Sequence, residues 1–329
     1  SKEQVFVPDV GNFPQIAMQR IEILKNGGAV TYGTDAVTGG WNFITRDEFE
    51  GFEINAMHQD IQDSDGDQTL GAIWGITNGS AHWVNSLEYE RRGVLSIPDR
   101  NLATYNPTAL DDPNYWPLGR SAFGNPGTFN NYITAAGANP SLADPGCGQR
   151  YGEGSSVKGR ITSYSGCGYS YMPFANIIDE QDRFKVFSQV KLAISDRHEV
   201  YGDVLWSRME SVYDGSPSYP PTNTDAGNCT WIPTHNPGFN AILQDIEANG
   251  DPDGAAAIFR NAGGASWFGR SLAGEGPAAR FPRKHETLRI VGGSRGDITD
   301  LVSYDVSLNW STTTADLGGF DVLTERWSH

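Results

Sequence analysis

The side chains able to act as nucleophiles or ligands are few and scattered. Ser155-Ser156-Val157-Lys158 has the S-x-x-K spacing of serine acylating enzymes, but the companion S-D-N and K-T-G triplets are absent. Gly269-Arg270-Ser271-Leu272-Ala273-Gly274 lacks the spacing of a nucleophile elbow. There is no Walker loop, no G-x-G-x-x-G and no H-E-x-x-H. His58, His82, His198, His235, His285 and His329 form no pair at ligand spacing. Asp63-Ser64-Asp65-Gly66-Asp67 places oxygens at alternate positions like the opening of a calcium loop. The closing acid is missing and Ala72 stands in its place, so the segment reads as a solvated turn. No catalytic residue, metal or cofactor is expected, and the chain is not expected to be an enzyme.

Two kinds of side chain remain. Cys147 and Cys167 lie in one Gly- and Tyr-rich stretch, and Cys229 is left over. Without C-x-x-C or zinc spacing, the first two read either as unpaired thiols of a cytosolic protein or, more naturally, as a disulfide formed in an oxidising compartment. The aromatic residues Tyr115, Trp116, Tyr169, Tyr171, Trp231 and Trp267 sit among small polar residues. Such rings either stack on a ligand or pack long loops against themselves; they are the candidate ligand-binding residues.

The elements that must position these groups are strands. From Gly51 onward apolar residues alternate with polar ones, the period of a two-faced strand. The pattern predicts strands over 51–60, 69–77, 81–91, 183–194, 198–210, 285–295 and 301–312, with an eighth beginning near 319. The connections alternate in length. Asn78-Gly79-Ser80, Ser195-Asp196-Arg197 and Gly296 to Asp300 are tight turns, while 92–182 and 211–284 are very long. In an up-and-down meander this leaves one end trimmed and the other carrying large loops, the asymmetry of outer-membrane barrels. Several strand aromatics, among them Trp74, Trp83, Trp206 and Trp310, suit a membrane interface or a soluble core equally. Ahead of the strands, residues 16–24 read as a short amphipathic helix running into a strand, and 41–45 as a short strand.

Composition sets outer limits. The 329 residues carry a net charge of −16 with 39 glycines and 11% aromatics, and no basic block, so nucleic acid is not an expected partner. No run of 18 apolar residues offers a transmembrane helix. The mean hydropathy of −0.44 does not argue against a membrane barrel, whose alternating strands conceal their apolar face from any average.

Residues 14–53 resemble the C-terminal part of the plug domain of TonB-dependent outer-membrane receptors. Gln19-Arg20-Ile21-Glu22-Ile23-Leu24-Lys25-Asn26-Gly27 is similar to the family's ERIEVLKDG segment, Tyr32-Gly33-Thr34-Asp35-Ala36-Val37-Thr38-Gly39 to its YGSDAIAG, and Asn42-Phe43-Ile44-Thr45-Arg46 to the NFITR that leads into the barrel. Gln19 departs from the usual glutamate, and Gly40-Trp41 from a β-branched pair. A second resemblance covers 144–210, where Asp144-Pro145-Gly146-Cys147, Cys167 and Glu180-Gln181-Asp182-Arg183 look like a loop of one large subgroup in which the two cysteines are bridged.

The resemblance implies a mostly β fold: part of a transmembrane antiparallel up-and-down β-barrel with the C-terminal part of a plug domain. Residues 1–50 would be plug, and 51–329 the first seven to eight barrel strands with extracellular loops 92–182 and 211–284. Arg20, Glu22, Gly27, Tyr32, Gly33, Asp35, Gly39 and Asn42 would be structural plug positions. The family's barrel has about 22 strands and a TonB box, so the resemblance also implies a piece of a longer receptor. The expected function is TonB-dependent uptake of a scarce nutrient across the bacterial outer membrane, with TonB, outer-membrane lipid and an unidentified small ligand as partners. The alternatives are a surface binding or structural component of an assembly, or a passive porin, against which the plug segment argues.

Overall fold

The computed structural model describes residues 10–25, 39–100, 120–121, 124, 126–130, 141–147, 160–161, 167–170, 174–216, 230–251, 254–269 and 279–319. The strands are β1 (Met18–Leu24), β2 (Gly40–Thr45), β3 (Gly51–Gln59), β4 (Asp67–Asn78), β5 (Ala81–Arg92), β6 (Leu95–Ser96), β7 (Arg120–Ser121), β8 (Thr128–Asn130), β9 (Ser141–Ala143), β10 (Arg160–Ile161), β11 (Cys167–Ser170), β12 (Asn176–Ile178), β13 (Glu180–Ser195), β14 (His198–Gly215), β15 (Thr230–Pro233), β16 (Gly264–Phe268), β17 (Ala279–Thr299) and β18 (Val302–Leu317). Two helices, Pro237–Ala248 and Ala255–Ala262, interrupt them. The fold is mostly β, as the period-2 pattern predicts.

The chain divides into two compact units. The first holds residues 1–94, 179–212 and 282–317. Its centre is a seven-stranded antiparallel sheet in the order β18-β17-β14-β13-β5-β4-β3, an up-and-down meander with no crossover. The sheet is open, with β3 and β18 as its edges among the described residues.

Its sidedness is the reverse of a soluble sheet. One face carries Phe52, Ile54, Leu70, Ile76, Trp83, Leu87, Phe184, Val190, Val204, Ile290, Leu308 and Trp310, all exposed; Phe52 is 66% and Leu308 81% accessible. Register places these residues side by side: Ile76 opposite Trp83, Phe52 opposite Trp74, Val186 opposite Leu87, Ile290 opposite Trp310. The other face carries Glu88, Lys185, Arg183, Lys191, Ser86 and Ser207, all buried, together with Ile73, Val84, Phe187 and Leu205, which are buried under the N-terminal segment. An antiparallel sheet in water normally buries its apolar face and solvates its polar one.

Two expectations need correction. Residues 16–24 do run into a strand, as expected, but without the amphipathic helix: a 3-10 turn, Gln15–Ala17, leads directly into β1. Ile16 and Ala17 are apolar because they are buried against the sheet, while Ile21 and Ile23 follow a strand's period. The last turn does not span 296–300 either. The β17–β18 reversal is Asp300-Leu301, and Gly296 lies within β17, where a Cβ would collide with the Arg197 carbonyl oxygen of the β13–β14 turn and with His198 at the start of β14. The turns at 78–80 and 195–197 fall where expected, with Gly79 at φ +60°. The eighth strand lies outside the described residues.

The second unit holds residues 95–178, 213–281 and 318–329. Here the long connections contain regular structure. A four-stranded antiparallel sheet, β15-β16-β8-β9, packs one face on the two helices. The core is Phe129, Phe239, Leu243, Ala256, Phe259 and Ala265. The first helix begins in a recognisable way: Asn236 accepts the Phe239 N–H at 3.1 Å and Pro237 occupies the first turn. Smaller pairs, β6 with β12 and β10-β11-β7, complete the unit.

Candidate functional site

The buried face of the seven-stranded sheet is built around an ion pair. Glu88 on β5 lies opposite Lys185 on β13, and both side chains are almost fully enclosed. The Lys185 ammonium donates to Glu88 Oε1 at 3.0 Å and to Glu90 Oε1 at 2.6 Å. Glu88 then accepts two backbone donors from the N-terminal segment: Gln15 N–H on Oε1 at 3.0 Å and Ile16 N–H on Oε2 at 3.2 Å. Gln15 Nε2 donates to Glu90 at 3.2 Å. One carboxylate thus neutralises a buried ammonium and caps a turn whose N–H groups would otherwise be unpaired.

The sequence permits this close seating because β4 carries Gly71 and Gly75 on the same face. A side chain at Gly71 would press on Ile16, and one at Gly75 would collide with the Phe49 carbonyl. Further contacts fix the segment laterally. Phe13 stacks on Phe43 at 6.1 Å and meets Phe187 at 5.7 Å. Arg46 donates its backbone N–H to Ala17 O at 2.8 Å, grips both oxygens of Glu53 and lies over the Phe49 ring. Lys191 pairs with Asp47, and Thr45 donates to Gln189 at 2.8 Å. Among the described residues the arrangement shows no nucleophile–base pair. What it does is hold residues 13–17 and 45–49 against a mixed strand wall: Ile16 and Phe49 pack on Ile73 and Val84, Phe13 and Ala17 on Phe187 and Leu205, and ion pairs and hydrogen bonds add directional contacts that a competing partner can replace.

The sequence-predicted residues distribute as follows. Arg20, Glu22 and Asn42 converge on the β1–β2 hairpin, where Glu22 faces Asn42 in register. Arg20 Nε donates to Glu22 at 2.9 Å and Asn42 Nδ2 to its other oxygen at 3.4 Å. These donors, Arg20 first, hold the Glu22 carboxyl below the usual carboxylate range. Gly39 precedes β2 with φ +132°. Gly27, Tyr32, Gly33 and Asp35 lie outside the described residues, as do Cys229, Ser155 to Lys158, Tyr115, Trp116 and Tyr171. Tyr169 is on β11, opposite Ser121. Asp63 to Asp67 form a turn tied to Gly93, whose N–H donates to Gly66 O and Asp67 Oδ1.

Cys147 and Cys167 are joined in a disulfide with Cα atoms 5.9 Å apart. Both are buried, and Thr128 Oγ1 accepts the Cys167 N–H at 2.8 Å. Trp231 and Trp267 lie on adjoining strands but on opposite faces, since Trp231 pairs with Ser266 and Trp267 with Thr230. Only Trp267 reaches the helical side, where it borders a cavity of about 370 Å³ lined with Phe129, Asp144, Ile232, Asn236, Gly238, Phe239 and Ile242. Sequence reasoning passed over this cavity's other walls. The signal was present in Phe239, Ile242, Leu243 and Ile246, spaced as one helical face behind an Asn-Pro start.

Comparison with protein-family models, with curated proteins and with solved structures finds no match. No helix among the described residues is long and apolar enough to cross a membrane, which does not bear on strands.

Proposed function

We propose that this chain forms part of a TonB-dependent outer-membrane receptor and serves active uptake of a scarce nutrient. On this reading the seven-stranded sheet is a stretch of transmembrane barrel wall, and residues 1–50 are the end of a plug, of which 13–17 and 45–49 rest against its inner face. The observation that carries it is the sidedness of the sheet. A continuous apolar face is exposed while charged side chains are buried on the other. In hydrocarbon that arrangement is favourable, because lipid solvates the apolar face and the lumen takes the polar one. In water it would leave an apolar patch far larger than monomeric proteins carry.

The described chain ends of the meander fit the same reading: three two-residue turns at one end, and long connections at the other. The seat of residues 13–17 on Glu88 and Lys185 supports a plug over an open pore. Its ligand would bind at the long connections, and TonB would supply energy by displacing the plug; no bond in the ligand is broken.

The test is a growth competition. Cells producing the protein compete with cells lacking it on single limiting nutrients, with and without functional TonB, and the protein is located by membrane fractionation. An advantage that vanishes with TonB supports the proposal. An advantage that survives loss of TonB points to passive passage, and recovery of the protein outside the outer-membrane fraction would sink it.

A further inference from the structure

We infer that the cavity walled by Phe129, Phe239 and Trp267 is a binding site for a ring of a neutral sugar. This rests on the uptake reading and narrows its ligand. All the lining residues belong to the second unit, and at about 370 Å³ the cavity falls within the usual range for small-molecule sites, about 300–1,000 Å³.

The walls define the chemistry. The aromatic side is rigid: Phe129 stacks on Phe239 at 4.7 Å, and Phe239 meets Phe259 edge-on at 5.7 Å. Trp267 is held because Gly127 and Gly269 carry no side chain; a Cβ at either would collide with the indole. Phe129 and Phe239 are buried and form the floor, and the half-buried Trp267 is the ring left to the ligand; a fixed, flat indole suits the C–H face of a pyranose. The polar side is sparse and mixed. Asp144 spends one oxygen on the Gly146 N–H at 2.8 Å, and an ionised carboxylate has further acceptor sites. Asn236 spends its carbonyl on the Phe239 N–H, which leaves its amide hydrogens as the groups to offer a ligand. One acceptor and one donor beside an aromatic wall match neighbouring hydroxyls, each of which donates and accepts.

Two other ligand classes fit worse. Among the described lining residues there is no lysine or arginine, while Asp144 is one of them, so an anion would meet repulsion from its carboxylate. A purely hydrocarbon ligand would bury Asp144 and Asn236 without partners, which costs free energy.

The experiment is calorimetric titration of the full-length protein in detergent with maltohexaose, cellohexaose, xylohexaose and chitohexaose, and with tetragalacturonate as the anionic probe. At least one neutral probe is expected to bind, with tetragalacturonate weaker. Trp267→Ala should weaken the neutral probe at least about tenfold. Trp267→Ala removes packing, so Asp144→Asn is the second variant: it keeps the acceptor for Gly146 and removes only the charge. It should narrow the discrimination against tetragalacturonate by about tenfold. Absence of binding by all four neutral probes overturns the inference, as does binding unchanged in both variants. If TonB-dependent growth persists in that case, the uptake reading stands and only the sugar is wrong; if TonB dependence fails while the titration succeeds, the reverse holds.

Discussion

The two units of this chain solve the same problem with opposite polarity. In the second unit the apolar side chains Phe129, Phe239, Leu243 and Phe259 are inside and the exposed faces of the helices are polar, as water demands. In the seven-stranded sheet Leu70, Leu87, Val190 and Leu308 are outside, and Lys185, Glu88 and Ser207 are inside. The backbone rules are identical in both. What differs is which side chains each surface exposes, and on the proposed reading the sheet's outer face is built for lipid and the second unit's for water. A single chain containing both is the pattern expected where one region lies in lipid and the other in water.

The sharpest way to break the comparison is to attack each interior with the substitution its own logic makes worst. Phe259→Ala empties a fully buried ring position and should cost the second unit about 3–5 kcal/mol. Hydrogen exchange should show the loss in Phe239, Leu243 and the β8–β16 pair, with β4, β5 and β13 unchanged. In the sheet the corresponding change is Lys185→Ala. It leaves Glu88 buried without its ammonium, worth about 3–5 kcal/mol. Protection should fall at Gln15 and Ile16, whose N–H groups Glu88 accepts. If Lys185→Ala left those two amides as protected as before, the polar interior would not be what seats the segment.

Leu87→Arg tests the outer surface. In a bilayer an arginine there should cost about 2–4 kcal/mol. In water a surface substitution at a residue 37% exposed stays within about 0.5 kcal/mol. Refolding into lipid vesicles and into detergent-free buffer separates the two. A small effect in vesicles would mean this face does not meet lipid, and the contrast between the units would lose its explanation.

How much of this was legible in the sequence differs between the units for the same physical reason. The strands of the sheet announce themselves because successive residues face opposite sides, one exposed and apolar and the other largely polar, which imposes alternation on much of Phe184 to Ile194 and Tyr304 to Trp310. The pattern fades where that demand ends. Strand β17 begins at Ala279, and Arg280-Phe281-Pro282-Arg283 has no clean alternation and includes a proline, so its first residues read as loop. Gly296 misled because a glycine required by a neighbouring strand looks the same in sequence as one required by a turn. The second unit was opaque because its short strands, β8 and β16, are recognisable only once the helices cover them. The residues alone left Cys147 and Cys167 either paired or free, and the resemblance implied the bridge that joins them. That Trp231 and Trp267 face opposite ways was not, since their shared sheet is assembled from distant segments.

The smallest expected effect is electrostatic and belongs to the second unit alone. Glu247 near the end of the first helix binds Arg260 of the second, with Oε1 facing Nε and Oε2 taking NH2 at 2.9 Å. The Arg260 hydrogen bond, then its charge, holds the Glu247 carboxyl below the usual carboxylate range. A carboxyl lowered in the folded state contributes stability above its unfolded value and loses it as pH falls through the folded one. The second unit should therefore weaken slightly on acidification through and below the ordinary glutamate range, and Glu247→Gln should lower stability at neutral pH by that same small component and flatten the acid limb. Both side chains are well exposed, so solvent and salt screen the pair and the effect should shrink in high salt. Acid titrations of wild type and Glu247→Gln, followed through exchange at Phe239 and Phe259, read it directly. An acid limb unchanged by Glu247→Gln would show that this pair adds nothing to the packing of Phe239, Leu243 and Phe259 and the Arg260–Asn240 hydrogen bond that also join the two helices.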